Sequence, residues 1–177
     1  MSEPKKTAMF TTVHESPIGP LRIVVDEAGA LLRIDLPGHE GRARGKATPA
    51  GKGEAEDSSR CAHVATQLDQ YFRGERTEFD LALRLEGTEF QQKAWRALQK
   101  IPFGKTRSYQ EQAKKVGNPA AMRAVGAANG RNRIPIVVPC HRVIGKDGSL
   151  TGFGGGVAAK EWLLGHEQRV LGKARTR

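Results

Sequence analysis

The sequence predicts an α/β protein in two parts: a small antiparallel sheet with one helix, then a mostly helical part containing a helix-turn-helix. Two observations support this prediction. In the first half, short stretches rich in β-branched residues alternate with turns that contain Pro or Gly. In the second half, helix-capping signals recur in front of apolar residues at helical spacing. We therefore expect two domains, residues 1–86 and 87–177.

The first half begins with three predicted strands, residues 9–13, 21–26 and 31–36. Residues 37–59 follow, and they contain almost no large apolar side chain, which predicts a mobile loop because they can bury little surface. The next segment is a predicted helix, since its apolar residues share one face: Cys61, Val64, Leu68, Tyr71 and Phe72. Residues 79–85 alternate in polarity and predict a strand or an extended connector.

Two capping boxes mark helix starts in the second half. They pair Thr88 with Gln91 and Ser108 with Glu111, so that each side chain caps a backbone amide of the other residue. The first helix is expected to bury a stripe formed by Phe90, Ala94, Trp95 and Leu98. The second helix is expected to end at Gly117, because glycine is the preferred residue just beyond a helix.

A third helix is expected after a tight Gly-Asn-Pro turn, which completes the helix-turn-helix. Asn118 is the predicted cap, Pro119 the first helical residue, and Met122 and Val125 the residues facing the core. Most of the remaining surface is small: Ala120, Ala124, Gly126, Ala127 and Ala128. Arg123 rises from this surface, which suits a helix that enters a narrow groove and inserts a side chain into a base stack. A plain packing helix with a solvated arginine is the alternative.

The apolar run at residues 134–143 ends by presenting a thiol. Its β-branched residues predict a buried strand or extended segment, and Pro139 restricts the backbone that enters Cys140. His141 and Arg142 follow, and a thiol beside a potential base and a fixed positive charge favours the nucleophilic thiolate. The alternative interpretation is a buried structural cysteine.

The charge of the chain, +10 overall, is unevenly distributed. Residues 1–89 contain 12 Lys and Arg against 15 Asp and Glu, whereas residues 90–177 contain 17 against 4. The positive excess lies in the half that carries Cys140, which favours a polyanionic partner, most commonly nucleic acid. A soluble protein that merely happens to be basic is the alternative.

Cys61 and Cys140 are the two cysteines, too few for a disulfide framework, and neither has metal-ligand spacing. Cys61 fits an ordinary small core residue because it lies on an apolar helix face. The chain has no long apolar segment and no secretory core. We therefore expect no metal, no cofactor, no membrane association and a reducing compartment.

The last segment combines a glycine-rich loop with a helix. Residues 145–156 allow the backbone to come close to a ligand, although no P-loop or dinucleotide pattern is present. A final helix is predicted for residues 157–171, with Glu167 able to reach back to His141. Residues 172–177 are basic and expected to fray.

Residues 139–143, Pro-Cys-His-Arg-Val, resemble the methyl-acceptor motif of the O6-methylguanine-DNA methyltransferases, the suicide DNA-repair proteins. The resemblance is dense over residues 88–167 and thinner before them, where only residues 16–21 and 71–72 look familiar. Further matches fall in the family's order and spacing: Phe90, Trp95, Ile101, Pro102, Phe103, Gly104, Thr106, Ser108, Tyr109, Arg123, Ala124, Val125, Gly126, Asn129, Asn132, Gly152, Gly155, Gly156, Lys160, Leu163, Leu164 and Glu167.

This resemblance implies a ribonuclease-H-like N-terminal domain and a winged-helix-like C-terminal domain. It also implies that Cys140 takes the alkyl group from O6-alkylguanine flipped out of duplex DNA, once and irreversibly. The implied partner is double-stranded DNA bound through its minor groove by a monomer, without metal or cofactor. The implied location is the cytoplasm with the nucleoid, or the nucleus in a eukaryote. Acceptance of O4-alkylthymine and cooperative binding to DNA stay open.

The resemblance implies catalytic roles for five residues. His141 would accept the Cys140 thiol proton, through a water that is common in the family, and Glu167 would orient the imidazole. Tyr109 would donate toward guanine N3 and help to turn the target phosphate. Asn132 would brace the turn before the cysteine.

The resemblance also implies contacts with DNA and with the flipped base. Arg123 would fill the space that the extruded base leaves. Other implied DNA contacts are Lys105, Thr106, Arg107, Tyr109, Ala124, Gly126 and Ala127. The base pocket would be formed by Cys140, Val143, Phe153 and Gly154.

Three residues depart from the family pattern: Phe153 replaces a usual Tyr, Arg133 a common Pro, and Gln112 a usual apolar residue. Two other functions compete with alkyl transfer. A Cys-His hydrolase or acyl transferase would use the same dyad, but it needs neither a helix of small residues with Arg123 nor a basic half. A non-catalytic sensor of alkylated bases is the other, although relatives of that kind replace the acceptor cysteine, which is present here.

Overall fold

The computed structural model describes residues 6–38 and 46–175. A four-stranded sheet has the order β3-β2-β1-β4, in which β1 pairs with β2 and β2 with β3 in antiparallel fashion, as predicted. β4 pairs with β1 in parallel. The strands are β1 (Met9–His14), β2 (Leu21–Asp26), β3 (Leu31–Asp35) and β4 (Glu54–Glu56).

The strand β4 lies inside the segment predicted as a mobile loop, so that prediction is wrong for its last part. The guanidinium of Arg22, which is buried, donates to the Thr48 carbonyl and to the Glu56 carboxylate at 2.7 Å and ties the segment to the sheet. A three-residue Glu-Ala-Glu strand has no apolar alternation to reveal it, because β1 provides its order through backbone pairing. Residues 39–45 of the predicted loop lie outside the described residues.

One helix, α1 (Ser58–Phe72), packs on the sheet through its predicted stripe, and Cys61 is completely buried there. Asp57 caps this helix by accepting from two backbone amides. Residues 79–85 form the predicted extended connector, since the Leu31 amide donates to the Ala82 carbonyl at 2.8 Å. The connector thereby extends the sheet at β3 and leads into the second half.

The second half contains α2 (Glu89–Gln99), α3 (Tyr109–Lys115), α4 (Met122–Gly130) and α5 (Val157–Arg175), with β5 (Arg107–Ser108) parallel to β6 (Val143–Ile144). Both predicted capping boxes are formed, at the starts of α2 and α3. The helix α5 continues beyond its predicted end at Leu171, so the tail that was expected to fray is helical as far as it is described.

The helix α4 begins three residues later than predicted. Asn118 accepts from the Ala120 amide at 3.2 Å and closes a turn, so the helix begins at Met122 without a side-chain cap. Met122 is 45% exposed and does not face the core, whereas Val125 is completely buried as expected. Asn118 therefore forms an Asx turn in place of a helix cap, because both arrangements use its side-chain oxygen as the acceptor.

A reciprocal amide pair joins α3 to α4 at the buried Gln112 and Asn129. The Gln112 amide donates to Asn129 Oδ1 at 2.8 Å, and the Asn129 amide donates to Gln112 Oε1 at 2.7 Å. Gln112 also donates to the Ala94 carbonyl of α2 at 3.2 Å. The departure at Gln112 therefore replaces an apolar contact with a satisfied polar link among three helices.

Candidate active site and nucleic-acid interface

Residues 134–140 form a compact turn in the described structure, so the predicted strand or extended segment is not found there. The Val138 amide donates to the Ile134 carbonyl at 2.9 Å, and the Cys140 amide donates to the Val138 carbonyl at 2.8 Å. Ile136 has a φ of 75°, which β-branched residues rarely adopt. The run is largely buried, as its composition indicates, but the amides of Ile134, Val138 and Cys140 are paired within the turn and not with a neighbouring strand.

The Asn132 side chain closes this turn from both ends. Its amide donates to the Val138 carbonyl at 2.8 Å, while its Oδ1 accepts from the Ile134 amide at 2.9 Å. The same side chain is hydrogen-bonded to the Cys140 thiol in a way that lowers the thiol pKa. Asn132 therefore holds both the shape of the turn and the environment of the sulfur.

Cys140 is half-buried in a short 3₁₀ turn, Cys140–Arg142. Burial raises the pKa of its thiol above the ordinary value. The Asn132 hydrogen bond, the Lys160 charge and nearby backbone amides oppose this shift without cancelling it. The resting sulfur is therefore a thiol that requires a base before it can act as a nucleophile.

His141 is completely buried, and its Nε2 lies 2.5 Å from Glu167 Oε2. Burial lowers the pKa of the imidazole; Arg142 and Lys160 lower it further, and Glu167 opposes them. The neutral tautomer that fits this contact donates from Nε2 and keeps the lone pair on Nδ1. Within the described residues Nδ1 has no hydrogen-bond partner, which leaves it available to accept a proton.

Glu167 on α5 accepts hydrogen bonds from four residues in three parts of the chain. The donors are His141, the Tyr71 hydroxyl at 2.7 Å, the Gly104 amide at 2.8 Å and the Arg142 guanidinium at 2.8 and 3.2 Å. Burial raises the pKa of this carboxyl, but His141 and Arg142 lower it to about 2. Glu167 is therefore an anion with a fixed orientation, able to hold the imidazole and stabilise its protonated form.

The cation that lowers the Cys140 pKa is Lys160 of α5, not the adjacent Arg142 that sequence neighbourhood indicated. The Arg142 guanidinium is occupied by Glu167 and by the Ile101 carbonyl at 2.7 Å. The buried Lys160 Nζ donates to the carbonyls of Val143 at 2.6 Å and Thr151 at 3.1 Å. Burial lowers the pKa of Lys160, and the Cys140 thiolate would raise it.

Sequence reasoning missed the roles of Lys160 and Tyr71. Lys160 lies three residues before the buried Leu163 and seven before Glu167, a spacing that places all three on one helix face. This spacing and the family match were the available signals. Tyr71 was assigned only to the core, and no local pattern relates it to a carboxylate 96 residues away.

An open cleft of about 920 Å³ lies between α4, the start of α3 and the glycine-rich loop. Its lining includes Arg123 and Gly126 of α4, Tyr109 of α3 and Phe153 of the loop. The Tyr109 hydroxyl donates to the Thr151 carbonyl at 3.1 Å. A Cβ at Gly126 would be 3.8 Å from the Tyr109 ring, so the small residue keeps this part of the cleft open. We call this surface the α4 cleft.

A cavity of about 530 Å³ adjoins the cleft and contains Cys140 in its wall. Phe153 and Gly154 line both spaces, so the sulfur is reached from the cleft past these two residues. Asn132 lines the cavity from the C-terminal half, and Leu36 lines it from the N-terminal half. Both halves therefore shape the space in front of the thiol.

Six of the residues predicted to contact DNA or base line neither space. Lys105 and Thr106 are exposed, Arg107 lines a different groove, and Ala124 and Ala127 are exposed on α4. The side chain of Val143 is buried, and its carbonyl accepts from Lys160. The roles of these residues stay predictions.

In residues 6–38 and 46–175, no helix is long and apolar enough to cross a bilayer. No group of three His, Cys, Asp or Glu side chains there is placed to hold a metal ion.

Two family models match the chain, one for each half. The ribonuclease-like domain of 6-O-methylguanine DNA methyltransferase matches residues 9–85, and the DNA-binding domain of the same family matches residues 89–169.

Relatives named methylated-DNA–protein-cysteine methyltransferase are similar over most of the chain. A protein from Methanosarcina barkeri is 47% identical over 163 residues, 92% of this chain and 99% of the relative. A protein from Mycolicibacterium paratuberculosis is 56% identical over 121 residues, 68% of this chain and 73% of the relative.

Solved structures agree with these matches. The crystal structure of Mycobacterium tuberculosis O6-methylguanine methyltransferase has a TM-score of 0.81 and 44% identity, covering 91% of this chain and 93% of that one. A structure of the same organism's protein in complex with DNA has a TM-score of 0.81 and 43% identity, covering 92% and 93%. The chain is therefore an α/β protein that belongs to the O6-methylguanine-DNA methyltransferase family.

Proposed function

We propose that this protein repairs alkylated DNA by transferring the alkyl group of O6-alkylguanine to the Cys140 sulfur, once per molecule. One observation carries the proposal: Cys140 lines the cavity that adjoins the α4 cleft and is followed by a buried neutral His141, whose Nε2 is held by Glu167 and whose Nδ1 is free within the described residues. This is the arrangement of nucleophile, base and orienting carboxylate that activates a thiol. The family membership supports the same reaction.

The reaction begins when the Cys140 thiol proton passes, through a bridging water, to His141 Nδ1. Glu167 stabilises the resulting imidazolium because its own pKa is about 2 and it stays ionised. The thiolate then attacks the alkyl carbon in line with the O6–carbon bond. A sulfur–carbon bond forms, the O6–carbon bond breaks, and the guanine anion takes up a proton. We assign donation toward the departing base to the Tyr109 hydroxyl, which lines the α4 cleft.

The thioether has no route back to a thiol, so the protein acts as a stoichiometric reagent. The base must leave the helix to reach the sulfur, at a cost of a few kcal/mol that is smaller for a poorly paired lesion. We propose that Arg123 enters the vacated space and that Ala124, Gly126 and Ala127 allow α4 to approach the minor groove. Contacts from Lys105, Thr106 and Arg107 to phosphates would make binding sensitive to salt.

We further propose that residues 1–86 and 87–177 are the two domains and that a monomer acts on duplex DNA. Its location would be that of the DNA, in the cytoplasm with the nucleoid or in the nucleus of a eukaryote. The family models for residues 9–85 and 89–169 support this division.

The direct test uses duplex DNA with a radiolabelled methyl group on O6-methylguanine. One label per protein molecule should move to the peptide that contains Cys140, and Cys140→Ser should abolish the transfer. Cys61→Ser is the matched control, since Cys61 is buried in the core and should leave the stoichiometry unchanged. Binding without transfer would identify a sensor, and hydrolysis of an ester probe without transfer would identify a hydrolase; either would contradict the proposal.

The role of Arg123 is tested by comparing two substrates. Arg123→Ala should slow repair of duplex DNA roughly tenfold more than reaction with the free base O6-benzylguanine, a difference of about 1.4 kcal/mol in activation free energy. The difference is expected because the free base is not part of a duplex, so its reaction does not require Arg123 to fill the space left by a flipped-out base. Lys114→Ala removes an exposed charge from the neighbouring helix and serves as the control. Equal losses on both substrates would argue against insertion.

A further inference from the structure

We propose that a second basic surface, the groove between α2 and α3, binds the backbone phosphates that flank the lesion in the same duplex. This proposal rests on the proposed DNA repair. The groove has a volume of about 510 Å³ and an apolar floor that includes Ala97 and Ile101. Five cationic side chains line it: Lys93, Arg96, Lys100, Arg107 and Lys115. We call it the α2–α3 groove.

The positive charge of this groove is largely unneutralised. Glu111 is the carboxylate among the lining residues, and it accepts from the Ser108 amide at 2.7 Å as part of the helix cap. Lys93 Nζ lies 3.5 Å from Glu89 Oε1, but in the part of the chain that the structure describes the side chains of Arg96, Lys100 and Lys115 form neither an ion pair nor a hydrogen bond. A cation in the last turn of a helix, such as Arg96 of α2, interacts favourably with the helix C-terminus. This interaction does not explain why five cations line one concave surface.

The α2–α3 groove and the α4 cleft lie on different sides of α3. Arg107 and Ser108 are consecutive in β5, yet Arg107 lines the groove and Ser108 the cleft, as expected for a strand whose side chains alternate. On α3, Tyr109 lines the cleft, whereas Glu111 and Lys115, four residues apart, line the groove. Among the described residues, none lines both spaces.

The separation suits one duplex that extends past the cleft. A helix such as α3 is about 10 Å across, and phosphates of one strand follow each other about every 3.4 Å of the DNA axis. The groove therefore corresponds to phosphates about three base pairs from those at the cleft. The stretch of α2 from Lys93 to Lys100 is about 10 Å long, which matches a row of about three phosphates.

The chemistry of the groove favours a duplex backbone over other anions. A single phosphate would engage only a part of a row of five cations. Single-stranded nucleic acid is bound through stacking on aromatic side chains, and the described residues that line this groove include no aromatic side chain. Phosphates of a duplex need only spaced positive charges that lie along one edge.

The test is the salt dependence of DNA binding. The variant Arg96→Gln/Lys100→Gln/Lys115→Gln should reduce the slope of log K against log salt concentration by about 2 to 3, because each neutralised phosphate contributes about 0.9. The control Lys6→Gln/Lys46→Gln/Lys52→Gln removes the same charge from exposed sites in the other half and should change the slope by less than about 0.5. The proposal would be overturned if the control reduced the salt slope by as much as about 2 to 3, or if the groove variant left the slope unchanged.

Duplex length separates flanking contacts from other effects. With about ten base pairs on each side of the lesion the groove variant should bind more weakly than the parent protein, and with about two the proteins should bind equally, since short flanks do not reach the groove. If the variant lost only the ability to bridge two labelled duplexes, the groove would hold a second DNA molecule and our inference would be wrong.

The reaction with free O6-benzylguanine keeps this test distinct from that of the proposed function. In the groove variant, O6-benzylguanine should alkylate Cys140 at the same rate as in the parent protein. An unchanged rate would show that the fold and the chemistry of the variant are intact. If the parent protein transferred no alkyl group at all, the proposed function would fail while the comparison of salt slopes would still report on the groove.

Discussion

The reactivity of Cys140 depends on single groups that are distant from it in the sequence. Burial keeps its thiol protonated, while Asn132 and the Lys160 ammonium partly offset that effect. His141 stays neutral because it is buried, so it can accept the proton that the thiol must lose. The pKa of Cys140 is therefore set by burial, which disfavours the thiolate, and by Asn132 and Lys160, which favour it.

The variant Lys160→Met tests this balance. Removing the cation should raise the pKa of Cys140, so the reaction with O6-benzylguanine should slow by roughly tenfold at neutral pH, a loss of about 1.4 kcal/mol, and recover as the pH rises. Rate constants measured across the pH range provide the check, with the exposed Lys114→Met as control. A loss of rate that is the same at every pH would mean that Lys160 acts only through its hydrogen bonds to Val143 and Thr151.

At the scale of elements, the turn after α2 and the helix α5 fit together around Glu167. Gly104 has a φ of 76°, and its amide donates to Glu167 Oε1 at 2.8 Å. A Cβ on Gly104 would lie 2.1 Å from Leu171 Cδ1 of α5. Glycine therefore suits this position both because of its backbone conformation and because it leaves room for the Leu171 side chain.

Gly104→Ala and Gly117→Ala form a matched pair, because both glycines have positive φ and only Gly104 has a close neighbour in the space a Cβ would take. Gly117→Ala should lower the free energy of unfolding by about 1–2 kcal/mol, the cost of the left-handed conformation. Gly104→Ala should cost about 1–3 kcal/mol more, since the Leu171 side chain must be displaced from its packed position. Urea unfolding measures both.

Alkylation of Cys140 should slow only in Gly104→Ala, because the Gly104 amide donates to the Glu167 carboxylate that holds His141. Equal losses of stability and unchanged alkylation in both variants would contradict this account of the turn.

For the molecule as a whole, Glu167 joins both halves to the site. The Tyr71 hydroxyl of α1 donates to it, and the carbonyl of the same tyrosine is 2.7 Å from His166 Nε2 of α5. Tyr71 and His166 are also in edge-to-face contact, with ring centroids 5.2 Å apart. The N-terminal half thus helps to orient the carboxylate that His141 uses.

The low pKa of Glu167 predicts how stability depends on pH. The carboxyl titrates at about 2 in the folded protein against an ordinary value of 4.5, so the unfolded chain binds more protons between these values. The stabilisation is complete above the ordinary value and is lost as the pH falls toward 2. Unfolding free energies measured from about pH 5 to about pH 3 should therefore decrease.

Glu167→Gln should flatten part of this decrease, although it also removes an anion from between His141 and Arg142. Glu161→Gln on the exposed side of the same helix is the control and should keep the parent's slope. An unchanged slope in Glu167→Gln would show that other carboxylates dominate the acid transition.

Most of the elements could be predicted because their signals are local. The capping boxes at Thr88 and Ser108 work within four residues of chain, and the stripes of α1 and α2 follow from helical spacing alone. The apolar run before Cys140 was correctly predicted to be buried, but its composition does not distinguish a strand from a turn stabilised by Asn132. For Asn118 two local hydrogen-bonding arrangements competed, and the turn formed in place of the helix cap.

The sequence by itself determined the fold class, the family, the acceptor motif and the separation of charge between the halves, because each of these is written in order, spacing or composition. Only the tertiary structure decided that β4 joins the sheet, that Lys160 and not Arg142 lowers the Cys140 pKa, and that Tyr71 reaches Glu167. These contacts join segments far apart in the chain. No local periodicity specifies them, since they depend on how the packed elements place each side chain.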